Sequence, residues 1–194
     1  MERISFEFRI FSAILAAGQG KRFQNNVKIL HNINGKPMLQ HVIDVVKSIN
    51  FEKNFLVVNP LWNKINPHFI IPKSFTILIN KEYEKGISTS LKLLIKNIIP
   101  FEPDYIAIFL ADMPYISTDI VYNILSKIEK EDKIIAPYYK DIKGFPTIVH
   151  KSLFQNILNL QGDSGIKQII YKNPNLVKKI EFKTDKVIKD IDQP

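Results

Sequence analysis

Residues 13–30 read AILAAGQGKRFQNNVKIL. An apolar run closes on Gly18. Gly20 follows, with three cations (Lys21, Arg22 and Lys28) and no acid. The first half reads as a strand. The turn after it is built from small residues, so backbone N–H groups and basic side chains can converge there, and that combination suits an anion. Two phosphate motifs do not fit. The dinucleotide fingerprint needs a third glycine where Phe23 stands, and the Walker pattern needs glycine at Leu15 and Ser or Thr at Arg22. On the residues alone, a nucleotide phosphate and a solvated turn are equally open readings of this loop.

Working outward, the chain alternates two kinds of pattern. Short β-rich runs fall at 9–15, 54–58, 75–79, 104–110, 133–136 and 145–149. Helical spacing fills 37–49, 88–99, 117–130 and 151–160, with Pro37 suited to a first helical position and Ser117 to an N-cap. The segment 59–74 is broken by prolines and is expected to be irregular. Such alternation predicts an α/β fold with a mostly parallel sheet and helices on both faces. Ligands of these folds bind beyond the carboxyl ends of the strands.

The 194 residues suit one domain with a real core, and 45% hydrophobic with 24% charged residues is ordinary globular composition. Apolar stretches such as 106–111 are far too short to span a bilayer. Glu2, Arg3, Glu7 and Arg9 interrupt any signal-peptide core, so a cytoplasmic protein is expected. The absence of cysteine excludes disulfides, zinc-thiolate sites and a cysteine nucleophile. A net charge of +8 favours anionic partners. The lysines are spread out, however, and no dense cationic block argues for nucleic acid. Most of the excess, including the lysines of 175–190, reads as solvated surface on late strands.

Asp112 follows YIAIFLA (105–111), a near-continuous apolar strand, and Pro114 ends pairing just beyond it. The position is therefore the carboxyl end of a buried strand. A metal-binding acid and a simple turn or N-cap aspartate are both compatible with that spacing. His31, His41, His68 and His150 have no metal-ligand spacing, and Trp62 reads as packing.

Further motifs carry a family resemblance. LAAGQGKRF with Lys28 resembles the signature loop of nucleotidyltransferases with a Rossmann-like sheet, matching at Leu15, Ala16, Gly18, Arg22 and Lys28. NGKPMLQHVIDVV (34–46) is similar to the segment that follows it. KGISTSL (85–91), FLADMPYIS (109–117), GFPTIVHKSLFQNILNLQGDSGIKQII (144–170) and DIDQP (190–194) resemble, in order, motifs of the molybdenum cofactor cytidylyltransferases within the MobA-like NTP transferase family. The pattern departs at Phe23, Gln24, Phe145 (usually histidine), Ile166 and Gln193.

The resemblance implies one MobA-like domain over 1–194 with a three-layer, GT-A-like, Rossmann-like architecture. It implies transfer of CMP from CTP to molybdopterin with release of pyrophosphate, for later delivery to a recipient molybdoenzyme. It also implies Mg²⁺ on Asp112, with Asp192 as a second ligand, and catalytic roles for Lys28, Arg22 and Asp112. Nucleotide binding falls to Leu15, Ala16, Ala17, Gly18, Arg22, Lys28, Gly86, Ser88, Ser90 and Asp112, and acceptor binding to Pro146, Gly162, Asp163 and Gly165. Neither nucleic acid nor membrane is an expected partner. The alternatives are GTP in place of CTP, a sugar or isoprenoid-precursor acceptor, and a non-catalytic cofactor carrier.

Overall fold

A computed structural model describes residues 7–18 and 28–191. Its centre is β1 (Ile10–Ala16), buried at every position. β1 pairs in parallel with β4 (Asn54–Val58) on one side and β6 (Tyr105–Leu110) on the other. β4 continues in parallel to β5 (Phe75–Ile79) at one edge. Beyond β6 lie β9 (Thr147–His150), β7 (Ile134–Tyr139) and β10 (Val177–Glu181), giving the order β10-β7-β9-β6-β1-β4-β5. β10 runs parallel to β7. β9 is antiparallel to both its neighbours, so the sheet is mixed although mostly parallel. A short β8 (Ile142–Lys143) turns back onto β7. A separate hairpin pairs β2 (Asn32–Ile33) with β3 (Lys36–Pro37) through Asn34 and Gly35, both at positive φ.

Alternation along β1 sends Ile10, Ile14 and Ala16 to one face and Phe11, Ala13 and Leu15 to the other. The first face is covered by α1 (Met38–Ser48) and α4 (Thr118–Leu125), through residues such as Leu39, Ile43, Val121 and Ile124. The second is covered by α3 (Ile87–Ile98), α5 (Phe154–Leu158) and α6 (Ile166–Lys172), through Leu91, Leu94, Ile157 and Ile169. The apolar positions of each long helix recur every three to four residues, which makes the stripe that seats it. The result is the α/β/α layering expected, with helices on both faces.

Differences from the expected elements have local causes. α4 starts at its Ser117 cap, whose Oγ accepts from the Ile120 N–H, but stops at Leu125 rather than 130. The Tyr105 hydroxyl, on a ring buried in the sheet, bonds the carbonyls of Glu129 and Asp132 and draws the chain out of the helical path. The 59–74 segment contains a single-turn α2 (Trp62–Ile65), and buried Trp62 stacks on Phe69 at 5.4 Å, a packing role. Among the described residues, no helix is long and apolar enough to cross a membrane.

Candidate active site

The chain leaves β1 toward β4 on one side and reaches β6 on the other. The β1/β6 boundary is therefore the place where strand order reverses, and a crevice forms there at the carboxyl ends. The Ala111 N–H donates to the Leu15 carbonyl at 3.1 Å, so Ala16–Gly18 and Asp112 leave the sheet side by side. Leu15, Ala16 and Ala17 are buried, and Ala17 packs into the α3 face of the core. Gly18 opens to solvent.

Lys28 returns to this point in a short 3₁₀ turn, Lys28–Leu30, anchored by buried Ile29. Its Nζ meets Asp112 Oδ2 at 2.6 Å, with side chains 16% and 26% exposed. Two of the three residues expected to be catalytic thus form one half-buried ion pair. Taking either charge out of water alone costs several kcal/mol, so each supports the other. The pair can also be exchanged: a cation can take the carboxylate while an anion takes the ammonium. Asp112 is a single hard oxygen donor at an open strand end, which fits a Mg²⁺-type ion that fills its shell with phosphates and water. No group of three potential metal-ligating side chains occurs among the described residues. Arg22 and the expected second ligand Asp192 lie outside the described residues.

The other expected positions converge on the α3/α6 face. Gly86 has φ +103°, and an added Cβ would stand 2.3 Å from the Gly162 carbonyl carbon. The Ser88 N–H donates to the Gly162 carbonyl at 3.2 Å, and Gly165 abuts Ile87. The nucleotide-side and acceptor-side turns are thus one seam, with Asp163 within it. Ser88 is buried. Ser90 is buried, its hydroxyl accepting from Asn80 Nδ2 at 2.9 Å. Asn80, passed over in the sequence, also bonds Thr89 Oγ1 and the Glu82 N–H and so fixes this whole turn. Its signal was an amide directly after an apolar strand.

Pro146 follows a cis peptide bond at the head of β9. That loop is clamped: Gly144 N–H donates to the Pro137 carbonyl and Phe145 N–H to the Val187 carbonyl. An added Cβ at Gly144 would meet the Val187 carbonyl at 2.0 Å. The same loop holds Lys143, also passed over. Its Nζ donates to Thr147 Oγ1 at 2.5 Å and to the Gly144 carbonyl at 3.0 Å, and lies 3.9 Å from the centre of the Phe145 ring.

A Rossmann-like sheet with basic and acidic side chains meeting at its switch point suits an anionic ligand with its cation, and the comparisons with known proteins make the class the nucleotidyltransferases. Residues 12–177 match the family described as the MobA-like NTP transferase domain, and the chain belongs to that family. It is 33% identical over 141 residues to the bifunctional protein GlmU of Buchnera aphidicola subsp. Schizaphis graminum; the match takes in 72% of this chain but only 30% of that protein. The chain therefore spans under a third of the length of such relatives. Among solved structures, Rv0371c of Mycobacterium tuberculosis H37Rv superposes with TM-score 0.83 at 19% identity, covering 95% of this chain and 94% of that one. Rv0371c is also known in complex with manganese (TM-score 0.76, 18% identity, covering 90% and 88%). A CMP:2-keto-3-deoxy-manno-octonic acid synthetase complexed with CTP gives TM-score 0.70 at 13% identity, covering 96% and 94%.

Proposed function

We propose that this chain, as one MobA-like domain, is a cytidylyltransferase that moves CMP from CTP to a phosphorylated acceptor, molybdopterin. The observation that carries the reading is the Lys28–Asp112 pair, poised at 2.6 Å where β1 and β6 end. An acceptor phosphate oxygen attacks the α-phosphorus, the bond to the β-phosphate oxygen breaks, and pyrophosphate leaves. Both reactants are anions, so positioning and charge compensation supply the catalysis and no covalent nucleophile is required. Lys28 and Arg22 bind the triphosphate and offset the charge that builds on the departing pyrophosphate. Asp112, with Asp192, would hold Mg²⁺, which when bound compensates phosphate charge. Ala16–Gly18 and the Gly86–Ser88 turn flank the base and ribose. Pro146 and the Gly162–Gly165 turn face the acceptor. The product then passes to a recipient molybdoenzyme in the cytoplasm.

Phe145 favours a second acceptor within the same chemistry. It stands where the resembled cytidylyltransferases have histidine, and an apolar ring suits a sugar or isoprenoid-precursor phosphate. The deciding experiment is incubation with each labelled nucleoside triphosphate and molybdopterin, with and without Mg²⁺. CMP transfer that depends on Mg²⁺ is expected. Transfer of GMP in preference, or transfer only to a sugar or isoprenoid phosphate, replaces the reading.

A further inference from the structure

Lys143 is unusual among the 27 basic residues of this chain. It sits at the start of the β8–β9 loop, with its Nζ drawn inward to Thr147, a fully buried residue of β9. Thr147 pairs in register with Ile108 of β6, so the ammonium lies on the side of the sheet where β6 runs out toward Asp112. An ammonium has three N–H donors. Here one goes to the Gly144 carbonyl and one to Thr147 Oγ1, and no oxygen among the described residues meets the third. No carboxylate among the described residues pairs with it either.

The charged surroundings make this arrangement costly. The charge set against Lys143 is Lys167 on α6, a second cation. Across the β7–β8 pairing stands Tyr138, whose hydroxyl is itself held above its ordinary range by burial and does not ionise near neutrality. Thr147, Gly144 and Phe145 carry no titratable group. Burial first, and Lys167 second, bring the Lys143 pKa down to about 7. A lysine so placed is half-discharged in neutral solution, and a bound anion would restore its charge. The side chain keeps part of its surface open, so a ligand can reach it. The backbone beneath cannot yield, because Gly144 is wedged against the Val187 carbonyl and tied to Pro137.

The geometry points to Lys143, backed by Lys167, as the residue that grips the anionic group of the acceptor beside Pro146 and α6. The inference deepens the proposed function and rests on it for the identity of the acceptor as a phosphate ester. It makes Lys143 a binding residue for the acceptor rather than for the nucleotide. Above pH 7 the neutral Lys143 amine takes up a proton from solvent as the anion arrives, becoming the ammonium that holds it.

Inorganic sulfate is a suitable probe, since its charge is constant from pH 6 to pH 9. It is titrated by calorimetry into protein saturated with Mg²⁺ and the unreactive analogue α,β-methylene-CTP, which fills the triphosphate site. Wild type should bind sulfate, with an affinity that falls at least about tenfold between pH 6.0 and pH 8.5. Lys143→Met should bind it at least about tenfold more weakly at pH 6.0, with analogue affinity unchanged. Lys143→Arg stays charged throughout, so it should keep sulfate binding and lose the pH dependence, which a merely structural lysine would not show. Equal sulfate affinity in wild type and Lys143→Met at pH 6.0, or no sulfate bound by wild type, overturns the inference. If the analogue fails to bind, the nucleotidyl-transfer reading falls instead. The wild-type and Lys143→Met sulfate titrations without nucleotide then still decide the role of Lys143.

Discussion

Lys28 and Lys143 stand at the same end of one sheet, and the fold treats them in opposite ways. Lys28 is set against a carboxylate at 2.6 Å. Lys143 is set in a neutral cradle of hydroxyl, carbonyl and aromatic ring, with another lysine as its charged neighbour. The first arrangement is already balanced by its own carboxylate and, as proposed, separates when ligands arrive. The second is unbalanced until an anion arrives. One lysine thus trades a partner and the other gains one, which fits a reaction that brings two anions together from different sides.

The strongest way to break this contrast is to remove the carboxylate that balances Lys28. Asp112→Asn keeps the shape and discards a hard metal ligand, so kcat at saturating Mg²⁺ should fall a hundredfold or more while the circular dichroism spectrum is unchanged. Near-normal turnover would remove Asp112 from the chemistry. Next in size is Lys28→Ala. A lost charge-assisted phosphate contact is worth about 1.5–3 kcal/mol, roughly ten- to a hundredfold or somewhat more. Calorimetry should show that loss for CTP and a smaller one for CMP; equal CTP affinity in both proteins would count against it.

Lys143→Met sharpens the contrast from the stability side. The folded-state pKa of Lys143 lies below its ordinary value, so the unfolded chain binds more protons between about pH 7 and the ordinary lysine range. Stability from this group therefore rises with pH across that window, and its full penalty is present below pH 7. Lys143→Met also strips Thr147 Oγ1 of its donor, so the readout is the pH trend: the stability of the variant relative to wild type should fall by about 1–3 kcal/mol between pH 6 and pH 9. Melting curves whose difference is the same at both pH values would contradict the cradle as described.

The smallest effect is expected at Ala17. Its methyl packs in the α3 face of the core beneath the expected base site. Such a steric difference is worth about 1–3 kcal/mol of discrimination. Wild type should prefer CTP to GTP by about tenfold in kcat/KM, at the low end of that range. Ala17→Gly should improve GTP use without abolishing CTP use. An unchanged ratio in competition assays would mean that the base is chosen elsewhere.

The parts legible in the sequence were those written in local pattern. β1, β4, β5 and β6 fall within a residue of expectation, because each is a short apolar run bounded by turn residues. Asp112 stood out because it follows such a boundary and Lys28 because it matches the signature loop, and the fold then brought them together. The reversed direction of β9 was not readable, since alternation does not tell a parallel strand from an antiparallel one. α6, at seven residues, carries too little periodicity to stand apart from a loop. The end of α4 was set by Tyr105, thirteen positions before the start of the helix. Ser90 was named through the resemblance of KGISTSL, and its bond to Asn80, a residue ten positions earlier, needed the fold to appear. Lys143 was silent for a deeper reason: it is set apart by having no carboxylate beside it among the described residues, and only three-dimensional packing reveals that.

The backbone after β10 has a mechanical consequence. The Val187 carbonyl holds the Phe145 N–H, and four residues later the Ile191 N–H holds the carbonyl of Asp112 itself. One strap is therefore buckled at both ends, to the loop that carries Lys143 and to the residue that faces Lys28. Four residues reach at most about 14 Å when fully extended, which bounds how far the two anchor points can part. Displacement of the 143–146 loop beyond that bound pulls on the Asp112 peptide, and the reverse is equally true. If acceptor and nucleotide bind as proposed, any effect of one on the affinity of the other through this strap is reciprocal, by the same factor. A few residues of backbone thus tie the loop that carries Lys143 to the strand end that carries Asp112.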